Sequence, residues 1–277
     1  MAALLALFSA ATYGIGDFCG GMAARRIPAT TVLLWSHLLG LTLLTVSTVF
    51  VAGDPEPGDL VIGALGGLAG AAGVGLLYKG LAVGQMSVVA PITALLSAAV
   101  PVIAGYAEGE RPGPAAVFGM ALALVAIALV SAEGGSSLRP SDLRSVMYAL
   151  GAGLGFGFFF VFLSHTGEGA GMWPLVAARG ASVAVVGSVA LLGFIPRTPP
   201  IPGTRELTAA AGALDALANV LYLLAVREGL VSVVSVLAAL YPVSTVVLAR
   251  LVLKERFHRI QVAGMALALP ATLLMAA

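Results

Sequence analysis

The chain repeats itself, and the repeat limits the possible folds more than any other feature. Glu110-Arg111 is followed, eight residues beyond the arginine, by Gly119-Met120-Ala121-Leu122-Ala123-Leu124. Glu255-Arg256 is followed at the same distance by Gly264-Met265-Ala266-Leu267-Ala268-Leu269, an offset of 145 throughout. Ser87-Val88-Val89 matches Ser232-Val233-Val234 at the same offset, and Tyr78 matches Tyr222 at 144. A self-match at fixed spacing means one structural unit used twice.

Hydropathy identifies the unit. The 277 residues are 60% hydrophobic and 10% charged, with a mean hydropathy of +1.04; soluble domains carry roughly 25% charged residues. A hydrocarbon layer about 30 Å thick needs about 20 apolar residues at about 1.5 Å per residue. The pattern predicts ten spans, near 2–22, 30–52, 60–79, 86–106, 112–132, 145–164, 172–193, 206–226, 231–251 and 258–276. Arg25 and Arg26 follow the first span and no positive segment precedes it, which suits a retained anchor rather than a cleaved signal. The break from Glu133 to Arg144 divides the chain into five-span units at 1–134 and 145–277. An odd number of spans per unit forces the two to insert in opposite directions. The expected fold is an all-α membrane protein with ten transmembrane helices as two inverted five-helix repeats, a plan used by secondary transporters with a midplane solute site.

Composition also excludes functions. A net charge of +1 gives no basis for a nucleic-acid partner. Cys19 is the single cysteine, so no intrachain disulfide forms, and no Cys/His spacing suits a metal. Gly151-Ala152-Gly153-Leu154-Gly155 is glycine-rich but lies in an apolar span without a phosphate-binding lysine. No cofactor is expected, and the implied partners are a small-molecule solute and the lipid bilayer, with the chain a monomer or a homodimer.

These residues resemble the drug/metabolite transporter superfamily, in its ten-helix EamA-type branch. The resemblance rests on the two five-span halves and on three features of each: Tyr78 or Tyr222, the Ser87 or Ser232 entry to the fourth helix, and the Glu110-Arg111 or Glu255-Arg256 turn. Leu240-Tyr241-Pro242 and Leu253-Lys254-Glu255-Arg256 are typical of the second half. The resemblance implies transport of a small metabolite by alternating access, in a cell (inner) membrane, around a cavity between spans 1–4 and 6–9 with spans 5 and 10 outside it. A passive facilitator would use the same cavity without coupling. A membrane-embedded enzyme lacks support, because only two acids lie within the spans and no soluble catalytic domain accompanies them.

Ionisable residues inside spans point to the site, since each costs about 2.5–3.5 kcal/mol to insert. Four stand out: Asp17, His37, Arg179 and Asp215. Asp215 lies roughly 13 Å into the eighth span, with Asn219 and Tyr222 at i+4 and i+7 on one face. An anion, an amide and a phenol together suit an amine or hydroxyl-bearing solute; the plainer alternative is interhelical packing. The equivalent positions in the third span, Ala71 and Gly75, are non-polar, so the fold itself does not require this face. Asp17 and His37 fall at matched depths in neighbouring spans, as a proton-carrying couple or a local packing pair. Arg179 occupies the position equivalent to His37, at an offset of 142, and offers a planar fork of donors to a substrate carboxylate; the alternatives are a helix C-terminus or an acid of the other half.

Tyr78, Tyr241 and Trp35 are candidates for the pathway wall, or for interfacial positions near span ends. Glu110, Arg111, Glu255 and Arg256 are read as structural turns whose carboxylates cap the helix that follows. Pro91, Pro101 and Pro242 permit kinks in the fourth and ninth spans. The Gly63, Gly67, Ala71, Gly75 ladder reads as a helix-packing face.

Charge sets an expected orientation. Loops on the N-terminal side, side A, hold only Arg111 and Arg227, whereas side B holds Arg25, Arg26, Lys79, Arg139, Arg144, Arg197, Arg205, Lys254, Arg256 and Arg259. Basic loops stay cytoplasmic, which places both termini outside; members of the resembled family are usually drawn with them inside. A reporter fused to the C-terminus that works only outside the cytoplasm is expected to be active, and activity confined to a cytoplasm-dependent reporter would reverse the orientation.

Overall fold

A computed structural model describes residues 1–83, 86–130, 143–195, 199–253 and 258–276. Side chains of 86–88, 91, 249–250 and 253 are not described, and Glu255 and Arg256 lie outside the described residues. The first unit forms α1 (Ala2–Ala24), α2 (Ala29–Ser47), α3 (Pro57–Val83), α4 (Met86–Ala107) and α5 (Pro114–Val130). The second forms α6 (Leu143–Ser164), α7 (Trp173–Leu191), α8 (Arg205–Glu228), α9 (Val231–Ala238), α10 (Pro242–Leu253) and α11 (Arg259–Ala276). Among the described residues eight spans are long and apolar enough to cross a membrane, and α5 and the described part of α4 are shorter apolar helices. Large apolar side chains such as Phe8, Leu43, Phe118, Leu269 and Leu273 face outward, where lipid replaces water as the solvent.

The ninth span differs from its sequence reading. It is two consecutive helices, α9 and α10, separated at Ala239–Tyr241. Pro242 has no N–H to return to Ala238, and the Ala238 carbonyl is taken instead by Tyr241 N in a tighter turn at 3.3 Å. By contrast, α4 stays helical through Pro91 and Pro101. The equivalent helices of the two repeats therefore differ, one continuous and one broken.

The packing exchanges the two halves. Helix α1 lies against α8 and α3 against α6; α3 lies against α7 and α2 against α8; α4 meets α6 while α9 and α10 meet α1. Each contact has its counterpart with the halves swapped, as a pseudo-twofold requires. Helices α5 and α11 pack on each other through the duplicated motif. A Cβ on Gly119 would stand 2.9 Å from the Ala271 carbonyl, and one on Gly264 the same distance from the Ala126 carbonyl. Ala126 and Ala271 are themselves equivalent at 145, so the repeated glycines let the two backbones approach at symmetry-related points. Hydrogen bonds add interhelical glue: Ser9 Oγ donates to Ala218 O at 2.8 Å, and Thr245 Oγ1 to Gly14 O at 3.1 Å.

Side A is laced together by its loops. Asp59 Oδ1 accepts from Gly167 N at 2.7 Å, Glu108 pairs with His165 at 3.1 Å, and Arg227 donates to the carbonyls of Gly167 and Gly171 at 3.1 and 2.9 Å. Glu110 joins this lacing in a way the sequence did not indicate. Its carboxylate accepts from Val231 N at 2.6 Å and Ser232 N at 3.0 Å, the start of α9 in the other half. Pro112 and Pro114 strip donors from the start of α5, so the carboxylate caps a different helix from the one that follows it. The Glu-Arg turn of one repeat thus engages the Ser-Val-Val entry of the other. Arg111 donates to the Tyr106 carbonyl at 3.3 Å, at the negative end of α4. Replacing Glu110 by alanine is expected to cost about 0.5–2 kcal/mol, the range for a lost cap, read as a lower melting temperature of the detergent-purified protein.

Candidate functional site

Polar side chains at similar depth on four helices meet inside the bundle. From α7, Arg179 reaches two neighbours at once. One guanidinium nitrogen donates to His37 Nε2 on α2 at 2.7 Å, and the other is bonded to the Asp215 carboxylate on α8. Asn219 Nδ2 donates back to the Asp215 carbonyl at 2.6 Å and to its Oδ2 at 3.2 Å. Tyr13 on α1 donates to Asn219 Oδ1 at 2.7 Å. At the other end, His37 Nδ1 lies 2.5 Å from Ser182 Oγ on α7. The result is a continuous line, Ser182–His37–Arg179–Asp215–Asn219–Tyr13, joining α7, α2, α8 and α1.

The donors determine the protonation pattern. Guanidinium nitrogens only donate, so His37 Nε2 must accept, and the ring carries its proton on Nδ1 facing Ser182. His37 is therefore held neutral beside a cation. His37 and Arg179 are equivalent residues of the two repeats and touch each other, which locates them at the pseudo-twofold. The same exchange appears where Gly67 meets Ala178 and Gly212 meets Ser36, pairs related by the same offsets of 145 and 142.

Next to this line lies a cavity of about 610 Å³, counting the part open to the surroundings. Tyr13 and Asp17 of α1, Arg179 of α7, and Asp215 and Asn219 of α8 supply its polar wall. Phe156, Phe159 and Phe160 of α6 and Tyr241, presented at the α9–α10 break, supply an aromatic wall. Small residues of α3, Gly67 and Gly70, leave the space open. No residue of α5 or α11 lines it, so the two outer helices stand apart from the cavity as the family resemblance implied.

The structure redistributes the residues singled out by sequence. Asp215, Asn219, Arg179, Tyr241 and Asp17 line the cavity. His37 and Asp17 do not meet, since both His37 nitrogens are engaged by Ser182 and Arg179. Asp215 is not an open anion either, because Arg179 holds it. Tyr222 shares the Asp215 face but is fully buried away from the cavity. Its ring stacks on Phe160 at 4.2 Å and its hydroxyl pairs with Ser235 Oγ at 2.8 Å. It braces the aromatic wall from behind. Tyr78 is buried with its hydroxyl against α1 at Gly20. Trp35 points outward from α2, 38% exposed, and forms no part of the wall. Sequence reasoning missed the α6 phenylalanines and Ser182. The signal for the former was present: five of the eleven phenylalanines fall between 156 and 162.

Comparison with known proteins agrees with this architecture. The EamA-like transporter family model matches residues 1–132 and again 143–277. A chain with ten spans, two inverted repeats and a charged cavity at their junction is a membrane transporter of the drug/metabolite type. This protein belongs to the EamA-like transporter family. A crystal structure of another protein superposes with a TM-score of 0.75 over 97% of this chain and 98% of that one, at 17% identity, which shows a shared fold. No curated protein matches the chain in sequence.

Removing one member of a buried ion pair strands the other, typically at about 3–5 kcal/mol. Asp215→Ala is expected to lower the melting temperature sharply. Adding Arg179→Met should restore part of the loss, because no orphan charge then remains, and a double-mutant cycle measures the coupling.

Proposed function

We propose that this protein is a secondary active transporter that carries a small solute by alternating access, with the solute held in the cavity and a coupling proton held by Asp17. The alternative within the same fold is a passive facilitator. One observation carries the coupled reading. Among the described residues Asp17 is the carboxylate on the cavity wall that has no hydrogen-bond or ion-pair partner. An ionised carboxylate in such surroundings is costly unless a cation or a proton meets it. A group that must be neutralised by something arriving from outside is what coupling needs.

The remaining polar residues fit around this reading. Arg179 and Asp215 neutralise each other, and His37 is neutral, so the line at the pseudo-twofold is suited to holding α2, α7 and α8 in register while the solute binds beside it. This assigns the proton to Asp17 alone rather than to an Asp17–His37 couple. Asn219 and Tyr241 remain as solute contacts, with Tyr222 and Tyr78 supporting the walls. Side A, where Glu110, Asp59, Glu108 and Arg227 tie the loops together, would serve as a gate that loosens when the cavity opens on that side. The setting is the cell (inner) membrane, with the protein working as a monomer or homodimer.

Flux into proteoliposomes under an imposed pH gradient tests the reading. Wild-type protein is expected to accumulate its solute above equilibrium, and Asp17→Asn should lose accumulation. Accumulation surviving in Asp17→Asn would remove the proton from this residue; flux that only equilibrates would favour the facilitator.

A further inference from the structure

The cavity carries a charge imbalance next to an aromatic surface, and the two together select a ligand. Among the described residues its acidic and basic lining is Asp17, Arg179 and Asp215. Arg179 and Asp215 form a closed pair, which leaves one negative charge unbalanced when Asp17 is ionised. Three residues before Asp17, Gly14 lies against the backbone of Tyr241 and the hydroxyls of Ser244 and Thr245; three residues after it, Gly20 lies against the Tyr78 hydroxyl. A side chain at either glycine would push a tyrosine away. Tyr13 lies one turn before Asp17 on α1, while the Tyr241 backbone packs against α1 at Gly14 and the Tyr78 hydroxyl packs against it at Gly20.

None of these phenols donates to the carboxylate. Tyr13 is committed to Asn219, and Tyr241 points to the Ala90 carbonyl at 3.5 Å. The α6 rings pack on one another and on their neighbours: Phe159 and Phe160 centroids lie 5.8 Å apart, Tyr13 and Phe160 6.1 Å, and Tyr222 backs Phe160. Aromatic faces attract cations through their quadrupoles, most strongly where water is excluded. An anion entering this space would meet those rings and a carboxylate unpaired among the described residues, and the guanidinium that could receive it is already shared by Asp215 and His37.

We propose that the cavity takes a monovalent organic cation, an amine or quaternary ammonium on an apolar body, with its charge at Asp17 and its body against the α6 rings. This rests on the transport reading for its purpose, since it names the solute class of that same cavity, but its binding test is separate.

The test compares three probes of similar size on the full-length protein in a neutral maltoside detergent: benzyltrimethylammonium, benzyl alcohol and benzenesulfonate. Binding is followed by thermal shift and by isothermal titration. Only the permanently charged cation is expected to raise the melting temperature of the wild-type protein, by mass action. Asp17→Asn should weaken its affinity by about tenfold or more, as loss of a partly buried charge partner does, and Asp17→Glu should retain it. If benzenesulfonate stabilises and the cation does not, or if all three act alike, the proposal is overturned; wild-type data alone decide this should the variants fail to fold. Cation binding undiminished in Asp17→Asn also overturns it. Cation binding without flux in proteoliposomes would keep this inference and defeat the transport reading. Accumulation of a neutral or anionic solute without cation binding would do the reverse.

Discussion

The buried pair between Arg179 and Asp215 is the contact on which the interior of this protein depends. Two charged groups lie in a bundle where each alone costs about 2.5–3.5 kcal/mol to insert. Together they are neutral, and the surrounding donors and acceptors complete them: His37 takes the free face of the guanidinium, and Asn219 donates to the carboxylate. The pair spans α7 and α8, while its extensions reach α2 and α1. The line therefore ties α1, α7 and α8, which carry most of the cavity's polar wall, to α2 beside them.

Symmetry explains why the pair sits where it does. In an inverted repeat, equivalent residues approach each other only near the pseudo-twofold, and His37 and Arg179 are such residues. At that place evolution has broken the duplication: an imidazole in one half, a guanidinium in the other. The same break appears in α3 and α8, where Ala71 and Gly75 stand opposite Asp215 and Asn219 in the alignment. It appears again in the fourth and ninth spans, one continuous and one interrupted at Pro242. The shell keeps the symmetry through the paired glycines of α5 and α11, and the cavity departs from it. The cavity is lined by polar residues of α1, α7 and α8 and by aromatic residues of α6, with no symmetric duplicate of either set among the described residues.

Much of this was legible in the chain. Hydropathy and the 145-residue offset specify spans and repeats because both depend on local composition and spacing. Charged residues in apolar spans are conspicuous, so Asp17, His37, Arg179 and Asp215 could be named from sequence. Their partners could not. His37 was matched to Asp17 by depth alone, yet depth says nothing about rotation around each helix axis or about which helix is the neighbour. Asp215, Asn219 and Tyr222 do share a helix face, but seven residues carry Tyr222 about 10 Å along the axis. There α6 and α9 pack over it, and it becomes a brace for Phe160. The sequence suggests that Glu110 caps the helix that follows it, whereas its carboxylate accepts from the start of α9, because the proline-rich turn that withholds local donors leaves the choice of donor to the other repeat.

What the sequence determined by itself was the kind of object: a membrane chain of ten apolar spans, duplicated and inverted, with a few costly ionisable groups within them. These follow from free energies that act residue by residue, namely transfer of side chains into hydrocarbon and the backbone's need to satisfy its hydrogen bonds there. The tertiary structure alone decided which charges cancel and which one remains. Pairing depends on contacts between residues that lie far apart in the chain, 142 positions between His37 and Arg179 and 206 between Tyr13 and Asn219. Only the packed helices bring such groups within hydrogen-bonding distance, and only that packing leaves Asp17 on the cavity wall without a partner among the described residues.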